Sequence, residues 1–340
     1  MKSFASDNYA GVLPGVMQAL QNANIAHARS YGSDEITKRT IELFKQVFDA
    51  DVDVYFVFNG TGANLLSISA ATQSYNAVLC ADISHIYNDE SSAPESVTGC
   101  RFFPLKANEN GKLETNVIED RLIRKGDVHY PQTKLLSITQ STEYGTVYKA
   151  DEIQAISVLC KRNDLYLHMD GSRFFNAVAA LGCGLKDIST NAGIDILSLG
   201  GTKAGMMFGE AVVVFNKKLS EHIAYKQKQI IQLASKTRFI AAQFEAMMQQ
   251  ELWRKTAGHS NKMATLLHAA LSKYPQIKIT KPVEANAVFA EMPRTWYEAL
   301  QQHFPFYIWK ESTMEVRLMC AFDTTEQDIA AFDKAIAALV

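Results

Sequence analysis

Short apolar runs separated by helical stretches fill the first two thirds of the chain, and this alternation restricts the fold more than any other feature. VDVYFVF (52–58), NAVLCA (76–81), KLLSITQ (134–140), LYLHMD (165–170), DILSLG (195–200) and AVVVF (211–215) are short and largely apolar, several of them β-branched or aromatic. Between them, ANLLSISAATQ (63–73) and DEIQAISVLCKRN (151–163) have helical spacing. Strands that are apolar on both faces and separated by helices belong to a mainly parallel sheet covered on both sides. Beyond about residue 217 helix dominates, followed by two further strands, NAVFAEM (286–292) and EVRLMC (315–320), and a closing helix, TEQDIAAFDKAIAAL. The pattern predicts an α/β protein with a large domain over residues 1–245 and a smaller C-terminal α/β domain over 246–340.

Composition narrows the function. With 340 residues, 47% of them hydrophobic, the chain can bury a large core. A formal net charge of -2 and the absence of long Lys/Arg runs disfavour nucleic acid or an anionic membrane as partner. The longest uncharged stretch, Val54 to Ala81, is broken by Asn59, Gly60, Thr61, Gly62, Asn64, Gln73 and Asn76, so it reads as strand, loop and helix rather than a membrane span. The N-terminus lacks the apolar core of a signal peptide. The 5 cysteines are scattered and form no Cys-x-x-Cys pair, which fits a reducing, cytoplasmic setting. No His-x-His or His-Glu-x-x-His pattern occurs, and no metal site is expected.

In an open parallel sheet, ligands gather beyond the carboxyl ends of the strands. After the first strand comes NGTGANLL, a glycine-rich turn opening a helix, whose free amides suit a phosphate. Leu65 stands where a dinucleotide fingerprint needs glycine, and no Gly-Lys-Ser/Thr follows. Gly60 and Thr61 are therefore candidate phosphate ligands, against the plainer reading of a tight turn. His85 follows the second strand and could stack on a ligand or move a proton, although a lone histidine is most often structural. Asp170 closes LYLHMD, with Arg173 three residues on. Lys203 follows DILSLGGT among glycines. A turn lysine pointing at water is the bland reading of Lys203; a nucleophilic amine in a dry site is the sharp one. Pyridoxal phosphate (PLP) needs a carboxylate at its pyridinium nitrogen, a Schiff-base lysine and a helix N-terminus for its phosphate. Asp170, Lys203 and the Gly60-Thr61 turn supply all three, each at a strand end.

FASDNYAG, YGSDE, FNGTGANLL, SHIYNDE, HMDGSRFFNA, GGTKAGM, LASKTRF and EVRLMC then place the chain by resemblance. In this order and spacing they resemble the threonine aldolase group of fold-type-I PLP enzymes, which belongs with the β-eliminating lyases. The resemblance spans nearly the whole chain, and the mid-chain TQSTEYGTVY is similar to the low-specificity bacterial L-threonine aldolase branch. It implies a large, mainly parallel, seven-stranded-type sheet and cleavage of L-threonine, L-allo-threonine and other β-hydroxy-α-amino acids to glycine and an aldehyde. It also implies roles: Lys203 bonds PLP, Asp170 meets the ring nitrogen, Gly60 and Thr61 hold the phosphate, and His85 stacks on the ring and is a candidate base. Ser6, Arg173 and Arg317 bind the substrate carboxylate. Arg317 also makes sense alone as a bidentate carboxylate ligand, its alternative being a salt bridge with Glu315. A homotetramer, a dimer of dimers with active sites at the dimer interface, is implied as well, and Tyr31 is a candidate to reach across.

The chain departs from the family at Ala5, at Asp34-Glu35-Ile36-Thr37, and at Thr139-Gln140-Ser141-Thr142-Glu143, where another branch has Glu-Asn-Thr-His-Asn. Simple alignment puts Thr142 in the place of that histidine, so discrimination at the β-hydroxyl is expected to be loose. The rival readings are β-elimination or transamination on the same scaffold, and a non-catalytic module binding a phosphorylated ligand.

Overall fold

The computed structural model describes residues 2–340. Seven strands form the larger sheet: β1 (Asp53–Val57), β2 (Asn76–Ala81), β3 (Arg101–Leu105), β4 (Gln132–Thr139), β5 (Tyr166–Gly171), β6 (Ile196–Gly200) and β7 (Glu210–Val214). Their order is β1-β7-β6-β5-β4-β2-β3. β7 runs antiparallel to both β1 and β6, and the other pairs are parallel, so the sheet is mainly parallel as expected. A smaller antiparallel sheet combines β8 (Lys278–Ile279), β9 (Ala287–Glu291), β10 (Tyr307–Lys310) and β11 (Glu315–Met319) in the order β10-β11-β9-β8.

Alternation along each strand divides the large core between the two faces of the sheet. On β2, Leu79 and Ala81 join one core while Val78 and Cys80 join the other. On β7, Val213 goes one way and Val212 and Val214 the other. Period-2 geometry forces this split, and both faces are apolar because helices cover both. The helix Gly60–Ala71 is apolar all round and almost wholly buried on its face of the sheet. Removing one such fully buried leucine, Leu79, to alanine costs about 2–5 kcal/mol.

The smaller sheet has its own core, including Val288, Ala290, Val316 and Leu318. Phe4 belongs to this core, although it stands near the start of the chain. Its amide donates to the Pro305 carbonyl at 2.8 Å, and its carbonyl accepts from the Met319 amide at 2.7 Å. The helix Leu252–Leu271 ties the two cores together, with Trp253 and Ala257 in the large one and Met263, Leu267 and Leu271 in the small one. The expected domain limit after residue 245 falls inside the helix Arg238–Met248. No described helix is long and apolar enough to cross a membrane.

Candidate active site

A cavity of about 360 Å³ lies beyond the carboxyl ends of β5 and β6. Gly60, Thr61, Asn64, His85, Glu90, Lys203 and Glu210 are among the residues that line it. Four predicted residues are therefore together in its wall, and Asp170 lies directly beneath.

The cradle at Gly60 forms because Asn59 caps the helix, its Oδ1 accepting from the Gly62 amide at 2.8 Å. That leaves the amides of Gly60 and Thr61 in the first turn without intrahelical partners, beside the positive end of the helix dipole. A Cβ at Gly62 would lie 2.4 Å from the side-chain amide of Gln232, which would have to leave the Phe58 amide from which it accepts. Gly60 faces open space at the same distance scale, so its role concerns the cavity and not the fold.

Asp170 is 2% exposed, near the end of β5. Register places it between Thr139 of β4 and Ser198 of β6. Its carboxylate accepts from the Ser172 amide at 3.0 Å, the Ser172 hydroxyl at 2.6 Å and Asn64 Nδ2 at 2.9 Å. Burial pushes its pKa up, but Ser172, the Lys203 and His85 charges and Asn64 outweigh burial and hold it below the ordinary carboxylate value. An ionised carboxylate at the base of the cavity is the result. His168, on the same face of β5, is a core residue: Ser137 and Ser198 satisfy both ring nitrogens, and burial pushes it down to about 4.

Lys203 stands in the single 3-10 turn Thr202–Ala204 after β6. Glu210 braces this turn by accepting from the Gly201 amide. No carboxylate closes an ion pair on Lys203. Loss of water and the Arg173 charge lower its proton affinity, against the opposing pull of Asp7, Asp170 and Glu210. An amine easily deprotonated beside an ionised acid suits covalent chemistry at a carbonyl.

His85 opens the short helix His85–Asn88. Its Nδ1 faces Glu90 Oε1 at 2.8 Å, and its backbone amide donates to Glu143 Oε1 at 3.0 Å. Hydrogen bonding to Glu90 is the main cause that raises its pKa above the usual value. His85, Glu90 and Asp170 lie close enough to hold a cation. Asn64, however, already donates to both acids, at 2.8 and 2.9 Å.

The predicted carboxylate ligands have different surroundings. Arg173 is committed to Asp7 in a bidentate pair, Nε to Oδ2 at 2.7 Å and the terminal nitrogen Nη2 to Oδ1 at 2.8 Å. Asn286 also donates to Asp7, at 3.1 Å. Arg317, on β11, makes one long bond to the Ala5 carbonyl at 3.4 Å and leaves Nε buried and unpartnered. Desolvation, then the neighbouring Arg173 charge, pushes its pKa down to about 10. It forms no ion pair with Glu315 or any other described acid, so the salt-bridge reading does not hold. Ser6 caps the short turn Asp7–Tyr9 by accepting from the Asn8 amide at 3.2 Å, which leaves its hydroxyl hydrogen free.

Thr142 is not at the site. Its hydroxyl is 3% exposed and bonds to Thr146 at 2.7 Å, under Asn110. The neighbouring Glu143 reaches His85 instead, with Thr139 donating to it at 2.8 Å. Asp7, Asn64, Glu90, Glu143, Glu210 and Asn286 were missed from sequence. Asn64 carried a signal, because it lies four residues beyond Gly60 on the same helix face. Asp7 follows Ser6 directly. Asn286 offered none.

A mainly parallel sheet with a lysine, a buried aspartate and a helix-end cradle at its carboxyl edge defines a class, and the sequence comparison agrees. Residues 3–295 match the family described as Beta-eliminating lyase, and the chain belongs to that family. Within it, the chain is 43% identical over 324 residues to the low specificity L-threonine aldolase of Pseudomonas aeruginosa, covering 95% of this chain and 93% of that protein. It is 42% identical over 339 residues to the enzyme of the same description from a Pseudomonas sp., covering 98% of each. A solved Leishmania major threonine aldolase superposes with a TM-score of 0.94 at 31% identity, covering 100% of this chain and 99% of the other. The fold-type-I architecture expected from the resemblance is thus present.

Proposed function

We propose that this chain is a PLP-dependent aldehyde-lyase that cleaves L-threonine, L-allo-threonine and other β-hydroxy-α-amino acids to glycine and an aldehyde. The observation that carries this is one cavity holding Lys203, with lowered proton affinity, above the ionised, buried Asp170, in a chain so similar to named threonine aldolases.

The residues fit the cofactor. Gly60 and Thr61 offer unpartnered amides and a hydroxyl for the phosphate, Asp170 would hold the ring nitrogen protonated, and Lys203 would bond the cofactor covalently. When bound, PLP supplies the electron sink for the pair left by the broken Cα–Cβ bond. The chain supplies orientation. Arg317, with its unspent Nε, grips the substrate carboxylate; Ser6 adds a donor. Arg173 has its terminal nitrogen Nη1 left over from the Asp7 pair and completes the clamp. The clamp fixes Cα and aligns the bond to be broken, which converts binding energy into orientation. His85, in the cavity wall, would lie against the ring and would accept the β-hydroxyl proton.

In this reading residues 1–245 hold the cofactor and residues 246–340 contribute Arg317. The molecule acts in the cytoplasm as a homotetramer built from dimers. An apolar groove that includes Met17, Met207 and Phe239 shares Phe58 and Phe208 with the cavity wall, which supports a dimer contact beside the site. Tyr31, exposed near this surface, is placed to meet the second subunit.

Product analysis with a panel of β-hydroxy amino acids tests the reaction. Glycine plus aldehyde supports it; ammonia plus a keto acid identifies a β-eliminating enzyme, and a new amino acid a transaminase.

A further inference from the structure

Glu90 has no part in the roles above, yet its carboxylate is wholly out of water, with 0% side-chain exposure. Oε1 receives His85 Nδ1 at 2.8 Å and Asn64 Nδ2 at 2.8 Å, and Oε2 receives nothing. Asn64 sends its remaining N–H to Asp170 Oδ2 at 2.9 Å and leaves its own Oδ1 unpartnered. A single amide therefore spends both hydrogens on two acids. Only the amide NH₂ can face two carboxylates, so its orientation is set by them. The same contact fixes the imidazole. A nitrogen 2.8 Å from a carboxylate carries hydrogen, and in the neutral ring the lone pair must then be on the other nitrogen.

We propose that Glu90 is the positioning residue of the His85 base: it holds Nδ1 as the donor, leaves Nε2 as the acceptor for the β-hydroxyl proton, and is tied through Asn64 to Asp170. This rests on the reading of His85 as base. During cleavage the proton passes from the substrate oxygen to Nε2 while Nδ1 keeps its own; the count is restored when Cα takes up a proton. The positive ring formed in that step sits against a carboxylate that has no other cation, so its formation is favoured where it is needed. The charged and titratable groups facing His85 are Glu90 and Asp170, which favour the protonated ring, and Lys203, which opposes it. Glu143 bonds its backbone amide. Of these, only Glu90 touches the ring.

The test is a pH titration of His85 in the holoenzyme labelled with ¹³C and ¹⁵N histidine, its resonances assigned by their loss in His85→Asn. The wild type is expected to titrate above the usual histidine value, with hydrogen on Nδ1 in the neutral form. Glu90→Gln should lower that pKa by about one unit or more and release the tautomer. The acid limb of the kcat profile for aldehyde release should move down with it, and kcat should fall more than KM rises. Glu90→Asp keeps the charge but draws it back; it should keep much of the raised titration and regain only part of the rate, and it serves if Glu90→Gln does not fold. An unmoved His85 titration and tautomer in Glu90→Gln, or an unmoved titration together with a fully wild-type rate in Glu90→Asp, overturns the proposal. A moved titration with an unmoved rate profile overturns instead the reading of His85 as base.

Discussion

The two ends of the cavity leave different kinds of atom unpaired. At the acidic end, around Asp170, Glu90 and Glu143, the buried orphans are acceptors: Asn64 Oδ1, Glu90 Oε2 and Glu143 Oε2. At the cationic end, around Arg173 and Arg317, the orphan charge is a donor, Arg317 Nε, with Asn286 Oδ1 the one acceptor. Buried polar groups without partners are rare in folded proteins and point to something that completes them. The acidic end calls for a protonated ring nitrogen or a hydroxyl, and the cationic end for a carboxylate. In the proposed reading, a protonated pyridine nitrogen would meet the acidic end and the carboxylate of the amino acid the cationic end.

Lys203 stands between the ends, and removing it tests the comparison most severely. Lys203→Ala should fold, lose the visible absorption of the bound cofactor and lose at least about 10³-fold in turnover. A borohydride-stable cofactor adduct on another lysine would remove Lys203 from the centre of the scheme. At the acidic end, Asp170→Asn keeps the shape but not the charge. Loss of about 3 kcal/mol of electrostatic stabilisation should lower kcat by 10²- to 10³-fold. Near-normal turnover would mean the ring nitrogen is held by something else.

At the cationic end the two arginines should behave differently. Arg317→Leu removes a guanidinium held by one long hydrogen bond and no ion pair, so thermal stability should change little while KM for the amino acid rises by about 10- to 100-fold, corresponding to one charge-assisted bond of about 1.5–3 kcal/mol. Arg173→Leu leaves Asp7 buried and alone, which should cost about 3–5 kcal/mol and a clear drop in Tm. The pH dependence sharpens the contrast. Burial pushes Asp7 up, but Arg173 overcomes it and holds the carboxyl at about 2, below its ordinary 3.8. A depressed carboxyl stabilises the fold above its unfolded value, and that stability is lost as pH falls from about 4 towards 2. In Arg173→Leu only the Lys203 charge and the Asn286 hydrogen bond remain to oppose burial, and acid unfolding should begin at higher pH. Equal Tm losses in the two variants would erase the distinction.

The smallest effect concerns the β-carbon. The clamp fixes Cα, so D-threonine should not react. Around the β-hydroxyl one histidine is offered, and a single hydrogen bond of about 1 kcal/mol separates epimers only several-fold. L-Threonine and L-allo-threonine should therefore differ by less than tenfold in kcat/KM, measured by coupled reduction of acetaldehyde. A hundredfold preference would reveal a second group gripping the hydroxyl, with Glu143 the first to examine.

What could be read from sequence follows the physics of burial. β2, β5 and β6 are covered on both faces, and their unbroken apolar runs were legible to within a residue. β3 and β10 are edge strands with exposed residues in them, and neither stood out; Pro104 sits in β3, where an edge tolerates it. The same division holds at the site. Lys203, Asp170 and His85 could be singled out because each stands at or just past a strand end. The pair Asp7–Arg173 and the link Asn64–Glu90 join residues 166 and 26 apart. Such contacts exist only once the chain has folded and leave no period in the sequence. Simple alignment sets Thr142 opposite the other branch's histidine, whereas in this loop Glu143, one residue on, is the one that bonds His85.

The placement of Phe4 and Asp7 has a consequence for the order of manufacture. These residues leave the ribosome well before their partners Asn286, Pro305 and Met319. At about 5–20 residues per second, the gap of nearly three hundred residues lasts tens of seconds. Once Arg173 and Lys203 have emerged, the nascent chain can pair Asp7 with Arg173 and close the lysine turn, but it still has no Arg317. In the proposed reading, a product truncated before β11 would retain the residues that hold the cofactor without a means of gripping an amino acid, and competence arrives only once Arg317 has been made.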